Sequence, residues 1–233
     1  MKEDMRMQRL SAVEIERMID ISVVQAANGF NEVKKLAEYA RGKKFCAVHA
    51  LPTWVPTLKE LMQGNKDTLI GSSVGFPSGG HTTEIKVLEA KQLIAAGVQE
   101  MDMMMNIGRL KSGHYDFVEN EIKALADTAG DMTLKVIIET YYLTEEEIRK
   151  ACELCIKGGA DYVKTGSGWT RAGTTFETIS LIVNFVGGAI KVKASGGIRD
   201  LDTLRKMHQI GVSRFGINME SVKKILLEAE RGA

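Results

Sequence analysis

A lysine inside an apolar strand is rare, because burying an ammonium group is costly. This sequence has two in such a setting. Lys164 follows Tyr162-Val163, and Lys193 follows Val192. If both point inward, each raises the cost of charging the other. A lysine pKa lowered in this way yields a neutral, nucleophilic amine near pH 7. Asp102 interrupts the otherwise apolar run Met101-Asp102-Met103-Met104-Met105. An inward carboxylate there can pair with a lysine and relay protons. The same three residues would also suit a buried structural Asp–Lys pair, and residue types alone leave both readings open.

Two glycine segments suggest an anion site beside them. Ser195-Gly196-Gly197-Ile198-Arg199 leads into a helix, so exposed backbone N–H groups and a guanidinium converge there. Gly166-Ser167-Gly168 can add further N–H groups. His49 and His81 fall at the end of the second predicted strand and in the loop after the third. A lone histidine is more often structural than catalytic, and the sequence assigns neither a carboxylate partner.

Eight short apolar runs must carry these residues: Ile19–Val23, Lys44–Ala50, Thr68–Gly75, Val98–Asn106, Thr133–Glu139, Asp161–Thr165, Ile190–Ser195 and Val212–Ile217. Amphipathic segments alternate with them, at Asn31–Arg41, Pro56–Gln63, Thr83–Ala96, Tyr115–Asp127, Thr144–Lys157, Thr175–Phe185, Asp200–Ile210 and Glu220–Glu230. Strand–helix alternation implies a parallel sheet. Eight repeats in 233 residues imply a closed (β/α)8 TIM barrel, whose chemistry sits at the C-terminal strand ends. With three prolines and no Gly/Ser linker, residues 1–233 read as one domain, with 1–18 as an N-terminal extension, helical over Ala12–Met18. Glycines that end helices before strands, in Ala96-Gly97-Val98, Gly158-Gly159-Ala160 and Ile210-Gly211-Val212, read as helix C-caps.

With 44% hydrophobic and 26% charged residues the class is soluble and globular. A net charge of +1 calls for neither nucleic acid nor a membrane surface as partner. Cys152 and Cys155 form a C-x-x-C, but they share one face of an amphipathic segment and no second pair completes a zinc site. Without a framework of paired cysteines, a reducing cytoplasm is the expected location. The charged stretch Met1–Leu10 does not read as a signal peptide.

The segments Glu100–Gly108, Lys135–Thr140, Asp161–Thr165 and Val192–Arg199, in this order, resemble the deoxyribose-phosphate aldolase family, and the resemblance runs from about Ile19 to Gly216. It implies a class I (Schiff-base) aldolase, with Lys164 forming the imine, Lys193 tuning it and Asp102 serving proton transfer. The implied reaction is reversible retro-aldol cleavage of 2-deoxyribose 5-phosphate to glyceraldehyde 3-phosphate and acetaldehyde. The implied substrate and phosphate contacts are Gly166, Ser167, Gly196, Gly197, Arg199, Gly216 and Asn218, with Asp20 and His49 as further substrate contacts. No metal or organic cofactor is implied, and a homodimer or homotetramer is.

Four positions depart from the family pattern. The first strand reads Asp20-Ile21-Ser22 where an Asp-His-Thr or similar is usual. His49 stands where relatives often carry cysteine. The loop after strand six reads Gly166-Ser167-Gly168-Trp169 in place of a Ser-Thr-Gly-Phe. After strand eight, a small-residue phosphate loop has become Gly216-Ile217-Asn218-Met219-Glu220. Bulk and a carboxylate there should narrow the cup and repel phosphate. The expectation is poor cleavage of 2-deoxyribose 5-phosphate and a better substrate differing far from the carbonyl. Rival readings are a same-family aldolase for another sugar or sugar phosphate, a non-catalytic barrel that binds a phosphorylated metabolite, and an isomerase with a carboxylate base.

Overall fold

In the computed structural model, which describes Leu10–Arg231, the eight apolar runs are parallel strands. They are β1 (Ile19–Val23), β2 (Ala47–Ala50), β3 (Leu69–Val74), β4 (Glu100–Met104), β5 (Thr133–Ile137), β6 (Tyr162–Lys164), β7 (Lys191–Ser195) and β8 (Arg214–Asn218). Each pairs with its sequence neighbours, and β8 pairs with β1 to close the barrel. Helices α1 (Ala12–Glu16), α2 (Phe30–Ala40), α3 (Val55–Leu61), α4 (Thr83–Ala96), α5 (Ile107–Lys111), α6 (Tyr115–Ala129), α7 (Glu145–Lys157), α8 (Phe176–Val186), α9 (Leu201–Gln209) and α10 (Met219–Arg231) connect the strands.

The first strand has its expected bounds, the eighth starts later and runs on to Asn218, and the other six are shorter than expected because their ends belong to loops. Helix α5 and the 3-10 turns Pro52–Trp54 and Thr140–Tyr142 were not expected. The N-terminal extension holds a helix over Ala12–Glu16, started by a capping box between Ser11 and Glu14. Residues 1–9 of that extension, nearly all of the stretch read as lacking a signal peptide, lie outside the described residues. Gly97, Gly159 and Gly211 take positive φ where a helix gives way to a strand. Gly158 does not: it lets α7 approach Ile122, whose side chain a Cβ would meet at 2.6 Å.

Alternation along the strands divides apolar from polar. Ile19, Ile21, Met101, Met103, Leu134 and Val136 are fully buried and belong to the apolar core beneath the helices. The intervening positions point into the barrel and carry charge: Asp20, Glu100, Asp102, Lys135, Lys164, Lys193 and Arg214. Barrel interiors are ordinarily filled by branched apolar side chains, so this one is specialised. Cys152 and Cys155 lie on the buried face of α7, and burial pushes their thiols up, Cys152 to about 12. Neither supplies the thiolate that redox or metal chemistry needs.

Candidate active site

Register brings the charges together. Lys164 lies opposite Lys193 across β6 and β7, and Asp102 opposite Lys135 across β4 and β5. Asp102 gathers three ammonium groups. Its Oδ2 is 2.7 Å from Lys164 Nζ and 2.8 Å from Lys193 Nζ, and its Oδ1 accepts from Lys135 at 3.0 Å. Deeper in the barrel, Lys193 Nζ is 2.5 Å from Asp20, and Lys135 Nζ is 2.7 Å from Glu100. Arg214 bridges Asp20 and Glu100 at 2.7 and 2.6 Å. Lys135, Glu100 and Arg214 escaped the sequence reading. Lys135 stands in the apolar run Leu134-Lys135-Val136, the same signal that singled out Lys164.

Four cationic side chains thus face three carboxylates, so a protonated Lys164 leaves one positive charge in excess. Burial lowers its pKa to about 8; Asp102 opposes this, while Lys193 and Lys135 add to it. The expected depression by Lys193 is present, but burial is the larger cause. Burial also drags on Lys135, yet Asp102, Glu100 and Asp20 outweigh it and raise that pKa, so Lys135 stays charged. Exposure separates the lysines as well: Lys164 is 8% exposed, Lys193 1% and Lys135 0%. Lys164 ends β6 at the C-terminal mouth of the barrel. Burial works to raise the pKa of Asp102, but Lys135, Lys164 and Lys193 overwhelm it and hold the carboxyl well below its usual range. So held, Asp102 stays ionised and anchors the lysines.

Asp20 is buried within this network, and His49 Nε2–H donates to the Glu100 carboxylate over 2.8 Å, so the missing carboxylate partner is Glu100. Asp20, His49 and Glu100 are close enough to suggest a metal triad. Lys193, Lys135 and Arg214 already occupy those carboxylates, and the donor set does not fit a cation. His81 is exposed in the loop after β3, outside the cavity.

The cavity over Lys164, about 20 Å³, is lined by Asp102, His49, Ser73, Phe76 and Lys193 among others. Through Ser22, Val24, Ser167, Ser195 and Gly216 it joins a pocket of about 200 Å³. Gly196, Gly197, Arg199, Gly216 and Asn218 meet in that pocket, as expected, and Arg171 joins them unforeseen. Among the described residues, no carboxylate lines it. Gly173 packs so closely on Gly197 that a Cβ would sit 2.8 Å from the Gly197 Cα, which holds the β6 loop against the β7 loop.

Several expected contacts have other duties. Gly166 lies beneath the loop and lines neither space; a Cβ there would meet the Glu139 carboxylate at 2.9 Å. The Ser167 N–H donates to Glu139 at 3.1 Å, and its hydroxyl binds the same carboxylate. Glu139 is buried and holds left-handed backbone at φ 48°, an unusual conformation for a residue with a side chain. The side chain of Asn218 caps α10 by accepting from Ser221 N–H at 2.9 Å. Trp169 straps the mouth. Its Nε1–H donates to the Val24 carbonyl at 2.8 Å, and its ring meets Phe76 edge-on with centroids 5.6 Å apart.

The expectation that Met219 and Glu220 narrow the cup is corrected, while Ile217 and Asn218 do line the pocket. Met219 and Glu220 open α10, and their side chains leave the mouth for an outer groove beside Tyr39. Glu220 is exposed and pairs with Lys223 at 2.9 Å. The turn of the chain at the helix start directs the carboxylate away from the anion pocket.

A family model described as DeoC/LacD family aldolase matches residues 11–216. The chain is 48% identical over 211 residues to the deoxyribose-phosphate aldolase of Sinorhizobium medicae, covering 91% of this chain and 85% of that one. It is 44% identical over 217 residues to the deoxyribose-phosphate aldolase of Klebsiella pneumoniae, covering 92% and 87%. Among solved structures, the aldolase QR15 superposes with a TM-score of 0.87 at 36% identity, covering 94% of this chain and 97% of that chain. A deoxyribose phosphate aldolase from Aeropyrum pernix, described as having a unique tetrameric structure, matches with a TM-score of 0.84 over 96% of this chain and 94% of that chain. At 24% identity that likeness shows a shared fold alone.

Proposed function

Because the chain belongs to the DeoC/LacD family of aldolases, we propose that Lys164 is the imine-forming amine of a class I aldolase that cleaves 2-deoxyribose 5-phosphate. The enzyme is a carbon–carbon lyase. The observation that carries the assignment of Lys164 is its position as the most accessible lysine of the network, at the mouth of the cavity and with its pKa lowered to about 8. Roughly a tenth of the amine is neutral at pH 7 on that basis.

In the cleavage direction, Lys164 Nζ attacks the aldehyde carbon of the open-chain sugar, and loss of water gives an iminium. Removal of the C3 hydroxyl proton lets the C2–C3 electrons flow to the iminium nitrogen. Glyceraldehyde 3-phosphate departs, leaving an enamine. Protonation at C2 and hydrolysis release acetaldehyde and the free amine. Lys193 keeps the attacking amine's pKa low, and Asp102 holds both lysines in place and offsets the iminium charge. The phosphate occupies the pocket bordered by Gly196, Gly197, Arg171 and Arg199, so the sugar spans from Lys164 to that pocket. The iminium formed on Lys164 is the electron sink, and the cycle calls for no metal or organic cofactor.

With Glu220 turned away, the pocket keeps no carboxylate to repel a phosphate, and a binding-only barrel has no use for a low-pKa lysine at its mouth. The proposal extends to residues 1–233 forming one domain that acts as a homodimer or homotetramer in the cytoplasm, which light scattering and cell fractionation would test. No helix among the described residues is long and apolar enough to cross a membrane. Borohydride reduction in the presence of 2-deoxyribose 5-phosphate, followed by peptide mass spectrometry, tests the central claim. The expected result is a two-carbon adduct or a sugar phosphate adduct on Lys164. Label on Lys193, or none, overturns it.

A further inference from the structure

Among the described residues, Glu139 is the one non-glycine residue with positive φ, at φ 48° and ψ 68°. Such backbone persists only where its surroundings enforce it, and it gathers at functional sites. The hydrogen bonds from β5 to β6 enforce it here. The Ile138 N–H donates to the Lys164 carbonyl and the Thr140 N–H to the Thr165 carbonyl, each at 2.9 Å. The β5 side advances two residues while the β6 side advances one. Glu139 is the extra residue, a bulge just past the end of β5, and bulges re-aim side chains. Alternation from Lys135 would carry the Glu139 side chain into the barrel mouth. The bulge turns it aside, so that Glu139 lines neither the cavity over Lys164 nor the anion pocket.

The diverted carboxylate is buried beneath the β6 loop, against Gly166. One oxygen, Oε2, accepts from both the Ser167 N–H, at 3.1 Å, and the Ser167 hydroxyl. The Ser167 Oγ in turn accepts from the Trp169 N–H at 3.0 Å. Trp169 reaches across the mouth to the Val24 carbonyl and the Phe76 ring. Ser167 lines both the cavity over Lys164 and the anion pocket, at the junction that the middle of a sugar phosphate must pass. Its N–H and O–H both go to Glu139, so it has no donor left for a substrate. What Ser167 contributes is a wall, and Glu139 fixes where that wall stands.

We propose that Glu139 is a positioning residue for the cleavage: its bulged backbone and buried carboxylate fix Ser167 and Trp169, and so align the carbons between aldehyde and phosphate with Lys164. The proposal rests on the imine reading of Lys164. A shift of about 1 Å at reacting atoms costs roughly a hundredfold in rate, so a wall set loose is felt in turnover. The geometry also states what the role requires. Both bonds from Ser167 end on one oxygen, so an amide oxygen can take its place and the charge is dispensable. Left-handed backbone suits glycine, so a glycine at this position relieves the backbone while it releases the loop.

Two reactions separate positioning from folding. Cleavage of 2-deoxyribose 5-phosphate needs a substrate that spans both spaces. Exchange of acetaldehyde methyl hydrogens in D2O, followed by NMR, needs only a two-carbon imine on Lys164 and proton transfer beside it. Glu139→Gly should lower kcat for cleavage by roughly ten- to a hundredfold and leave methyl exchange close to the wild-type rate. Glu139→Gln should restore cleavage to near wild type. The proposal is overturned by a glycine variant that cleaves as fast as wild type, by methyl exchange that falls in step with cleavage, or by a glutamine variant as slow as the glycine one. Should the glycine variant not fold, Glu139→Asn carries the same comparison, since asparagine tolerates left-handed backbone but falls a methylene short of Ser167. If wild type neither exchanges methyl hydrogens nor traps acetaldehyde on Lys164 with borohydride, the imine reading fails and takes the proposal with it.

Discussion

Replacing Lys164 by methionine is expected to abolish turnover and yet stabilise the fold. The side chains are similar in length and shape, and the change removes only the buried amine. A fall in pKa from 10.5 to about 8 corresponds to about 3 kcal/mol against the protonated amine in the folded chain. That figure already contains the attraction of Asp102, which keeps Lys193 and Lys135 as partners in the variant. Allowing for a thioether in a polar cavity, Lys164→Met should gain about 1–3 kcal/mol at pH 7, or roughly 3–10 °C in Tm for a chain of this length. Below pH 8 both folded and unfolded wild type hold the proton, so the penalty is constant. Between pH 8 and 10.5 the folded chain has released it and the unfolded chain has not, so wild-type stability rises relative to the variant. Above 10.5 the penalty is gone. Urea unfolding of both proteins at pH 7 and at pH 10 measures the difference. A variant less stable than wild type at pH 7, or a gap that does not change with pH, would refute the reasoning.

Arg171→Ala and Arg199→Ala should each raise KM for 2-deoxyribose 5-phosphate by roughly ten- to a hundredfold, the scale of a lost hydrogen bond to a charged group. Cleavage of unphosphorylated 2-deoxyribose, assayed alongside, should not change. Gly216→Ala puts a methyl 2.6 Å from Ser195 Oγ and 3.3 Å from Lys193 Cε, and kcat should drop by at least about tenfold in a protein that circular dichroism shows to be folded. Asp102→Asn should lower turnover by about a hundredfold or more, because the iminium loses the carboxylate that offsets its charge. It should also cost about 3–5 kcal/mol in denaturant unfolding, since three buried ammonium groups lose their shared counterion.

Alternation of apolar runs with amphipathic segments was enough to place every strand and each of the long helices, because both periodicities follow from burial. Lys164, Lys193 and Asp102 were legible for the same reason: a charge in an apolar run is conspicuous. Lys135 was equally conspicuous and was passed over. Glu100 and Arg214 were not, since each sits at the edge of its run, where a charge looks like a strand end. The link from His49 to Glu100 depends on a gap at Gly71, where a Cβ would meet the imidazole, and a missing side chain leaves no positive signal in a sequence. Glu220 misled because spacing from Gly216 says nothing about where the chain turns into α10. Ser167 lined the site as expected, but its N–H went to Glu139, whose left-handed backbone has no signature in residue type.

The interior charges divide by position along the chain. Asp20, Glu100 and Asp102 come from β1 and β4, and Lys135, Lys164, Lys193 and Arg214 from β5 to β8. The first half-barrel is therefore an acidic trough and the second a basic one, each intolerable when buried alone. Neither half can close on itself or on a copy of itself without stacking like charges. Each is complementary only to the other, so barrel closure is directed by electrostatics as well as by strand pairing. A chain cut between α6 and β5 should yield two fragments that fold only when mixed.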